Sequence, residues 1–311
     1  MKPDITKITI KDNRKHLSSF IPEMLINPRV LAHKWSKITN QTPNLKIGYP
    51  AQHLASLIVG MKGDATGARG NDICDGSEVK ACSKIDQSDK CKKCHNNVLR
   101  SQKCCPMCSS TDIQRNNDSK WLIGIRNEAE LRMTLDETPR FIFIVTDYPE
   151  FDNGNFDTIR IRAFEIYPQS SRHKCFRELL ESYFRNLYLA HIKKNAQKAP
   201  APKNLFPDNY PFFKCNPIKI FESIVSDSLG QKPKLTITHY VKPDKDRSDL
   251  PSELMPKKLL SKQDIIVLER NGYDLSKIDF VDEKMRELLP LRDTDKVPKI
   301  IGNKSHKKIL K

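Results

Sequence analysis

The chain has 311 residues, with 54 Lys and Arg against 38 Asp and Glu, a formal net charge of +16. That balance favours polyanionic partners, through electrostatic steering and release of condensed counterions. No apolar stretch approaches the roughly 18–20 residues of a spanning helix, which argues against a helical membrane role.

The first fifteen residues mix Asp4 and Asp12 with lysines and lack an apolar core, so neither a secretory signal nor a transit peptide is expected. Residues 1–50 read as an N-terminal helical segment broken by Pro22, Pro28, Pro43 and Pro50. From Ala51 the pattern sharpens: Leu54, Leu57, Ile58 and Met61 recur at helical spacing, and Gly60 and Gly63 stop the helix. Gly67 and Gly70 then lead into a strand-like Asn71–Cys74, an Asp75-Gly76 turn and a second strand at Ser77–Ser83, a pattern that predicts a hairpin.

A cysteine-rich insertion follows over residues 88–115. Beyond it, Lys120–Arg126 and Thr158–Ile166 alternate with period two, and Arg140–Val145 is a continuous apolar run suited to a strand buried on both faces. Asn127 with Glu130 three residues on predicts a capped helix start. The clearest helix covers about 173–194, with Phe176, Leu179, Leu180, Tyr183, Phe184, Leu187 and Ile192 on one stripe. Residues 51–195 therefore read as a mixed α/β core. Residues 196–214, with Pro200, Pro202, Pro207 and Pro211, read as a linker. Residues 215–311 are expected to form a small, mainly helical C-terminal part, with a strand at Leu235–Tyr240 and helices near Ser261 and Val281–Leu289. The tail bearing Lys304, Lys307, Lys308 and Lys311 is basic.

Glu78 and Lys80 are two apart on a strand, so both side chains leave one face. Asp72, across the short turn, is placed to share a cation with Glu78. Asp and Glu supply hard oxygen ligands suited to Mg²⁺, and the Ala81 carbonyl or a water can complete the shell. Lys80 is then available to contact the attacking water and the phosphate. Asp75 is a rival first carboxylate, but its place before Gly76 suits it better to the turn. Glu-x-Lys by itself is common on solvated strand faces; the turn, the Gly-rich approach and the positive charge single out this one.

Nine cysteines without an export signal point to a reducing, cytoplasmic setting, where paired Cys-x-x-Cys elements read as metal sites. Cys91-Lys-Lys-Cys94 and Cys105-Pro-Met-Cys108 have the spacing of a Cys₄ zinc ribbon. Four thiolates leave no open position for water, so the zinc is structural. Cys104 is the spare thiol, and His95 would need a distorted loop to serve. Cys74, Cys82, Cys175 and Cys215 are isolated and read as small buried residues.

The Asp-x(n)-Glu-x-Lys pattern of Asp72, Glu78 and Lys80, preceded by a helix, resembles the PD-(D/E)xK nuclease superfamily, although Asn71 replaces its usual proline. The stretch from Gly63 through Lys80-Ala81-Cys82, with the cysteine pairs and Asp118-Ser119-Lys120-Trp121, resembles the MamI-type Type II restriction endonucleases over roughly residues 50–190. That resemblance implies a mixed-sheet nuclease core flanked by helices with an inserted ribbon. It also implies Mg²⁺-dependent cleavage of double-stranded DNA by a homodimer at a short palindromic or interrupted-palindromic site, and a companion DNA methyltransferase. Catalysis would fall to Asp72, Glu78 and Lys80, Mg²⁺ to Asp72 and Glu78, and zinc to Cys91, Cys94, Cys105 and Cys108.

Lys92, Lys93, Arg160, Arg162 and Arg172 are candidates for DNA contact. Arg160 and Arg162 alternate with Ile159 and Ile161 and are expected on the outward face of their strand. Arg172 lies in Gln169–Lys174, at the start of the long helix. Asp147, Asp152 and Asp157 lack the register of an EF-hand and read as a turn-rich connection. The alternatives are a repair or junction-resolving nuclease of the same superfamily, or a non-catalytic zinc-ribbon DNA-binding protein.

Overall fold

A computed structural model describes residues 1–39, 41–64, 71–197 and 201–292. The expected Gly67–Gly70 approach and the lysine-rich tail lie outside these residues. In chain order the strands are β1 (Glu78–Ser83), β2 (Asp89–Cys91), β3 (Asn97–Val98), β4 (Ile113–Gln114), β5 (Trp121–Ile123) and β6 (Phe141–Asp147). They continue with β7 (Ile159–Ile166), β8 (Lys203–Leu205), β9 (Ile218–Ser226), β10 (Lys234–Tyr240), β11 (Met255–Pro256) and β12 (Phe280–Val281). Among the helices are α1 (Arg14–Phe20), α2 (Asn27–Thr39), α3 (Gly48–Val59), α4 (Glu128–Arg132) and α5 (Lys174–Tyr183).

Two compact units form. The first gathers Met1–Trp121, Arg140–Glu165 and Ile218–Leu250; the second gathers Leu122–Pro139, Ile166–Pro217 and the chain from Pro251. Chain-order blocks do not describe this division, because sequence-distant strands pair in one sheet.

That sheet belongs to the first unit and runs β1-β6-β7-β9-β10. β1 lies parallel to β6, with Glu78 opposite Phe141 and Lys80 opposite Phe143, whereas β7, β9 and β10 are successively antiparallel. The sheet is therefore mixed, and β1 is an edge. All seven residues of β6 are buried, as its apolar run predicts, and the Trp121 indole N–H donates to the Ile144 carbonyl at 2.8 Å. α3 packs on β1 through a buried stripe of Ala51, Leu54, Ala55 and Ile58. It ends at Gly60 (φ +67°), where a Cβ would stand 2.2 Å from the Ile10 carbonyl oxygen.

Three expectations change. Asn71–Cys74 is not a strand of a hairpin with β1: Ile73 bridges Gly63, Cys74 N–H donates to the Lys62 carbonyl at 3.0 Å, and β1 finds its ladder with β6. The C-terminal part is not mainly helical throughout, because β9 and β10 complete the central sheet. β9 carries apolar residues at Ile218, Ile220, Phe221 and Val225, all buried, in a pattern that alternates only in part. Within residues 196–214 lie β8 and a short helix, Tyr210–Lys214, whose Tyr210, Phe212 and Phe213 are buried; aromatic burial there outweighs the proline content.

In the second unit the long helix passes through a π-helical turn at Phe184–Tyr188. Asn127 caps α4 by accepting from Glu130 N–H at 2.8 Å. Ser261 and Asp264 form a reciprocal capping box at the start of a helix over Lys262–Arg270.

Candidate active site and metal centre

The turn before β1 is built from its own polar groups. Asp75 accepts from Ser77 N–H at 3.0 Å, and Gly76 takes φ +91° and donates to the Ile73 carbonyl at 2.9 Å. That positive φ is the reason for glycine at this position. Arg140, buried just ahead of β6, clamps the turn from below: Nε donates to Ser77 Oγ at 3.0 Å and Nη2 to Asp75 Oδ2 at 2.8 Å. Its Nη1 donates to Glu165 at 2.8 Å, and Arg247 Nε donates to the other Glu165 oxygen at 2.9 Å. Asp75 is thus engaged by the turn and by Arg140.

Asp72 occupies a different position. Its Oδ2 accepts from Val79 N–H at 2.7 Å, and its Oδ1 accepts from the Gln52 side-chain amide on α3. Two donors fix the carboxylate plane against the first residues of β1. Glu78 and Lys80 share one face of β1, both half-buried, with Lys80 Nζ 2.5 Å from Glu78 Oε1. Burial pushes the Glu78 carboxyl above its usual range; Lys80 opposes this and the Asp72 charge adds to it. Asp72, Glu78 and Lys80 therefore meet in one corner, two carboxylates with an ammonium beside them. A pair of neighbouring carboxylates, one of them pushed up chiefly by burial, is donor chemistry that suits a hard divalent cation.

The second centre is the ribbon. β2 pairs with β3 on one side and β4 on the other. The two knuckles repeat one bond pattern. His95 N–H donates to the Cys91 carbonyl at 3.0 Å and Ser109 N–H to the Cys105 carbonyl at 2.9 Å, while Cys91 and Cys105 N–H return to Asn96 and Ser110. His95 (φ +60°) and Ser109 (φ +56°) occupy the left-handed region at matching positions. The sulfurs of Cys91, Cys94, Cys105 and Cys108 all lie within 4.8 Å of one another. Cys91 and Cys108 are 3.6 Å apart, Cys94 and Cys105 3.4 Å. Four ligands at about 2.3 Å from a tetrahedral zinc stand about 3.8 Å apart, so the cluster fits a metal of that size. The Asn96 N–H and side-chain amide pull the Cys94 thiol down to about 6, favouring the thiolate that ligation needs. His95 is exposed, and Cys104 is exposed and outside the cluster.

The basic candidates separate. Lys93 is exposed, and Lys92 is exposed but 2.8 Å from Asp112. The expected outward face of β7 is covered: Arg162 is buried and paired with Asp147, which also accepts from Arg160 Nε at 2.9 Å. In the second unit, Arg172 pairs with Glu283 at 2.5 Å. Asp152 and Asp157 lie around a short 3₁₀ turn closed by Gly154 in the left-handed region, as a turn-rich connection requires.

Sequence reasoning missed Gln52 and Arg140. Each carried a faint signal, a polar residue in a largely apolar helix and an arginine heading a buried strand. Their partners, 20 and 63–65 residues away, could not be paired from spacing.

The family profile described as MamI restriction endonuclease matches residues 34–258, taking in α3, the turn, β1, the ribbon and the whole central sheet. The chain belongs to the MamI restriction endonuclease family. A curated relative, the Type II restriction enzyme MamI of Microbacterium ammoniaphilum, is 31% identical over 80 residues. That alignment spans 26% of this chain and 26% of the relative, about a quarter of its length. No solved structure matches the chain significantly. In this family member the turn, β1 and the ribbon all fall inside the matched region, whereas residues 1–33 and 259–311 lie outside it. Among the described residues, no helix is long and apolar enough to cross a membrane.

Proposed function

We propose that this MamI-family chain is a Type II restriction endonuclease with a PD-(D/E)xK-type core. It makes Mg²⁺-dependent double-strand breaks in DNA at a short palindromic or interrupted-palindromic site. The observation that carries this reading is the corner itself: Asp72 held by two donors, Glu78 beside it, and Lys80 Nζ 2.5 Å from Glu78 on the same strand face. The family membership and the relative's name supply the reaction class.

Asp72 and Glu78 are the residues that would hold Mg²⁺. Each carboxylate has acceptor capacity beyond the hydrogen bonds described, and the donor set is the all-oxygen one this ion prefers. When bound there, Mg²⁺ supplies neutralisation of phosphate charge and an acidified water. Lys80 places a positive charge at the same corner, where it steadies the attacking water and the negative charge that develops on the phosphoryl oxygens. Gln52 and Val79 N–H keep the Asp72 carboxylate from rotating, and Arg140 keeps the turn from shifting. Cys91, Cys94, Cys105 and Cys108 would hold one structural zinc. A two-fold-symmetric target calls for a homodimer with one strand cut by each subunit, and host DNA then needs a cognate methyltransferase. A cytoplasmic location follows from that role.

Plasmid DNA incubated with the purified chain and Mg²⁺ is expected to give discrete fragments. Glu78→Ala and Lys80→Ala are each expected to lower the cleavage rate at least a hundred-fold while DNA binding persists. Full activity in either variant removes the catalytic assignment. Preference for branched DNA would point to a resolvase, and binding without any cleavage to a non-catalytic DNA-binding protein.

A further inference from the structure

The ribbon sheet has two unlike faces. Asp89, Cys91 and Val98 are buried and Ile113 half-buried, whereas Lys90, Asn97 and Gln114 are exposed. Lys90 is in register with Asn97 on one side and with Gln114 on the other. Residues paired directly across strands share a face, so the outward face carries a transverse row of amide, ammonium and amide. Among the described residues, these three side chains make no hydrogen bond or ion pair.

The inner face is anchored. Asp89 accepts from Arg115 Nη1 at 2.7 Å and from Asn116 N–H at 2.8 Å, and lies 3.2 Å from Arg100 Nη1. The Arg100 guanidinium sits 5.0 Å from the Phe151 ring and 5.1 Å from Phe156. The metal knuckles hold the other end. A small sheet fixed at both ends presents its row as a rigid surface.

We propose that this row reads base edges in the major groove of duplex DNA, an inference that rests on the DNA-cleaving function above. With strands about 4.8 Å apart, three residues span about 10 Å, and the major groove is about 12 Å wide and admits a β-ribbon. The chemistry matches the groove: Asn and Gln pair with the N6/N7 edge of adenine, and Lys donates to the O6/N7 edge of guanine. The charge matches too, because the row carries one cation and no acid. The next outward pair, Lys92 with Asp112 at 2.8 Å, is self-neutralised. Only Lys84–Ser88 separate β1 from β2, so Lys90 lies within about 25 Å of the end of β1. That limit is about seven base-pair steps, compatible with a short site read and cut by one chain.

A randomised duplex library, cut by the wild-type chain with Mg²⁺ and sequenced at the ends, defines the site. Lys90→Ala, Asn97→Ala and Gln114→Ala are exposed changes that should retain one zinc per chain. Each is expected to relax preference at one or two base positions by about ten-fold while cutting continues. Unchanged preference, or an equal loss of affinity on every sequence, overturns the assignment. If the wild type cuts nothing, the nuclease reading fails by itself. Enrichment of bound duplexes from the same library then tests the row: a motif lost in the variants supports it, and equal enrichment overturns it.

Discussion

Arg140 donates to Ser77, Asp75 and Glu165 while fully buried. A guanidinium offers a planar fork that an ammonium cannot reproduce. Removing it leaves the Asp75 carboxylate without a counter-ion and Glu165 with Arg247 alone, a change that costs about 3–5 kcal/mol. Arg140→Met should therefore lower the urea midpoint sharply, and Arg140→Lys should recover only part of the loss. A midpoint unchanged in Arg140→Met would show that the clamp contributes nothing. Glu78 and Lys80 were legible in the sequence because a period of two places both on one face whatever lies around them. Asp72 was legible as a neighbour across a turn, although its partners Gln52 and Val79 were not. A hydrogen bond between distant residues leaves no periodicity to read.

At the scale of elements, the ribbon and the central sheet draw stability from different sources. The ribbon's own apolar cluster is small, Cys91, Val98 and Cys105 with Ile113 against it, and a segment of this kind relies on metal in place of a core. The sheet rests on β6, buried along its whole length. Stripping zinc with a chelator is expected to abolish amide-exchange protection in β2, β3 and β4 while β6 and β7 keep theirs. One zinc per chain should be lost in parallel. Retained protection in a metal-free ribbon would contradict a structural zinc. The two Cys-x-x-Cys pairs announced the ribbon through spacing alone, because tetrahedral ligation demands it. β9 went unread for the opposite reason: its bulge between Ala163 and Phe164 of β7 and its mixed Ile218–Ser226 pattern blur alternation. The expected hairpin failed because an Asp-Gly turn specifies a reversal, not which strand accepts the hydrogen bonds afterwards.

For the whole molecule, the sequence announced a mixed α/β protein with a net positive charge, since composition and buried runs report on those directly. The division into units was not legible, because it depends on which strands pair across long stretches of chain. β1 and β6 are parallel neighbours, yet Lys84 to Arg140 intervene, with the ribbon inside that interval. Folding kinetics should register this. When the metal pins the ribbon, Lys90 sits beside Gln114, and the stretch that must close before β1 can dock is roughly halved. Each halving of a flexible loop lowers the closure cost by about 0.6 kcal/mol, about a three-fold gain in rate. Refolding followed by tryptophan fluorescence should be faster by about that factor with zinc than with chelator, and equal rates would show that β1 docks before the ribbon forms. The ribbon's metal would then act as a timer for assembly of the β1 edge as well as a clip within the finished protein.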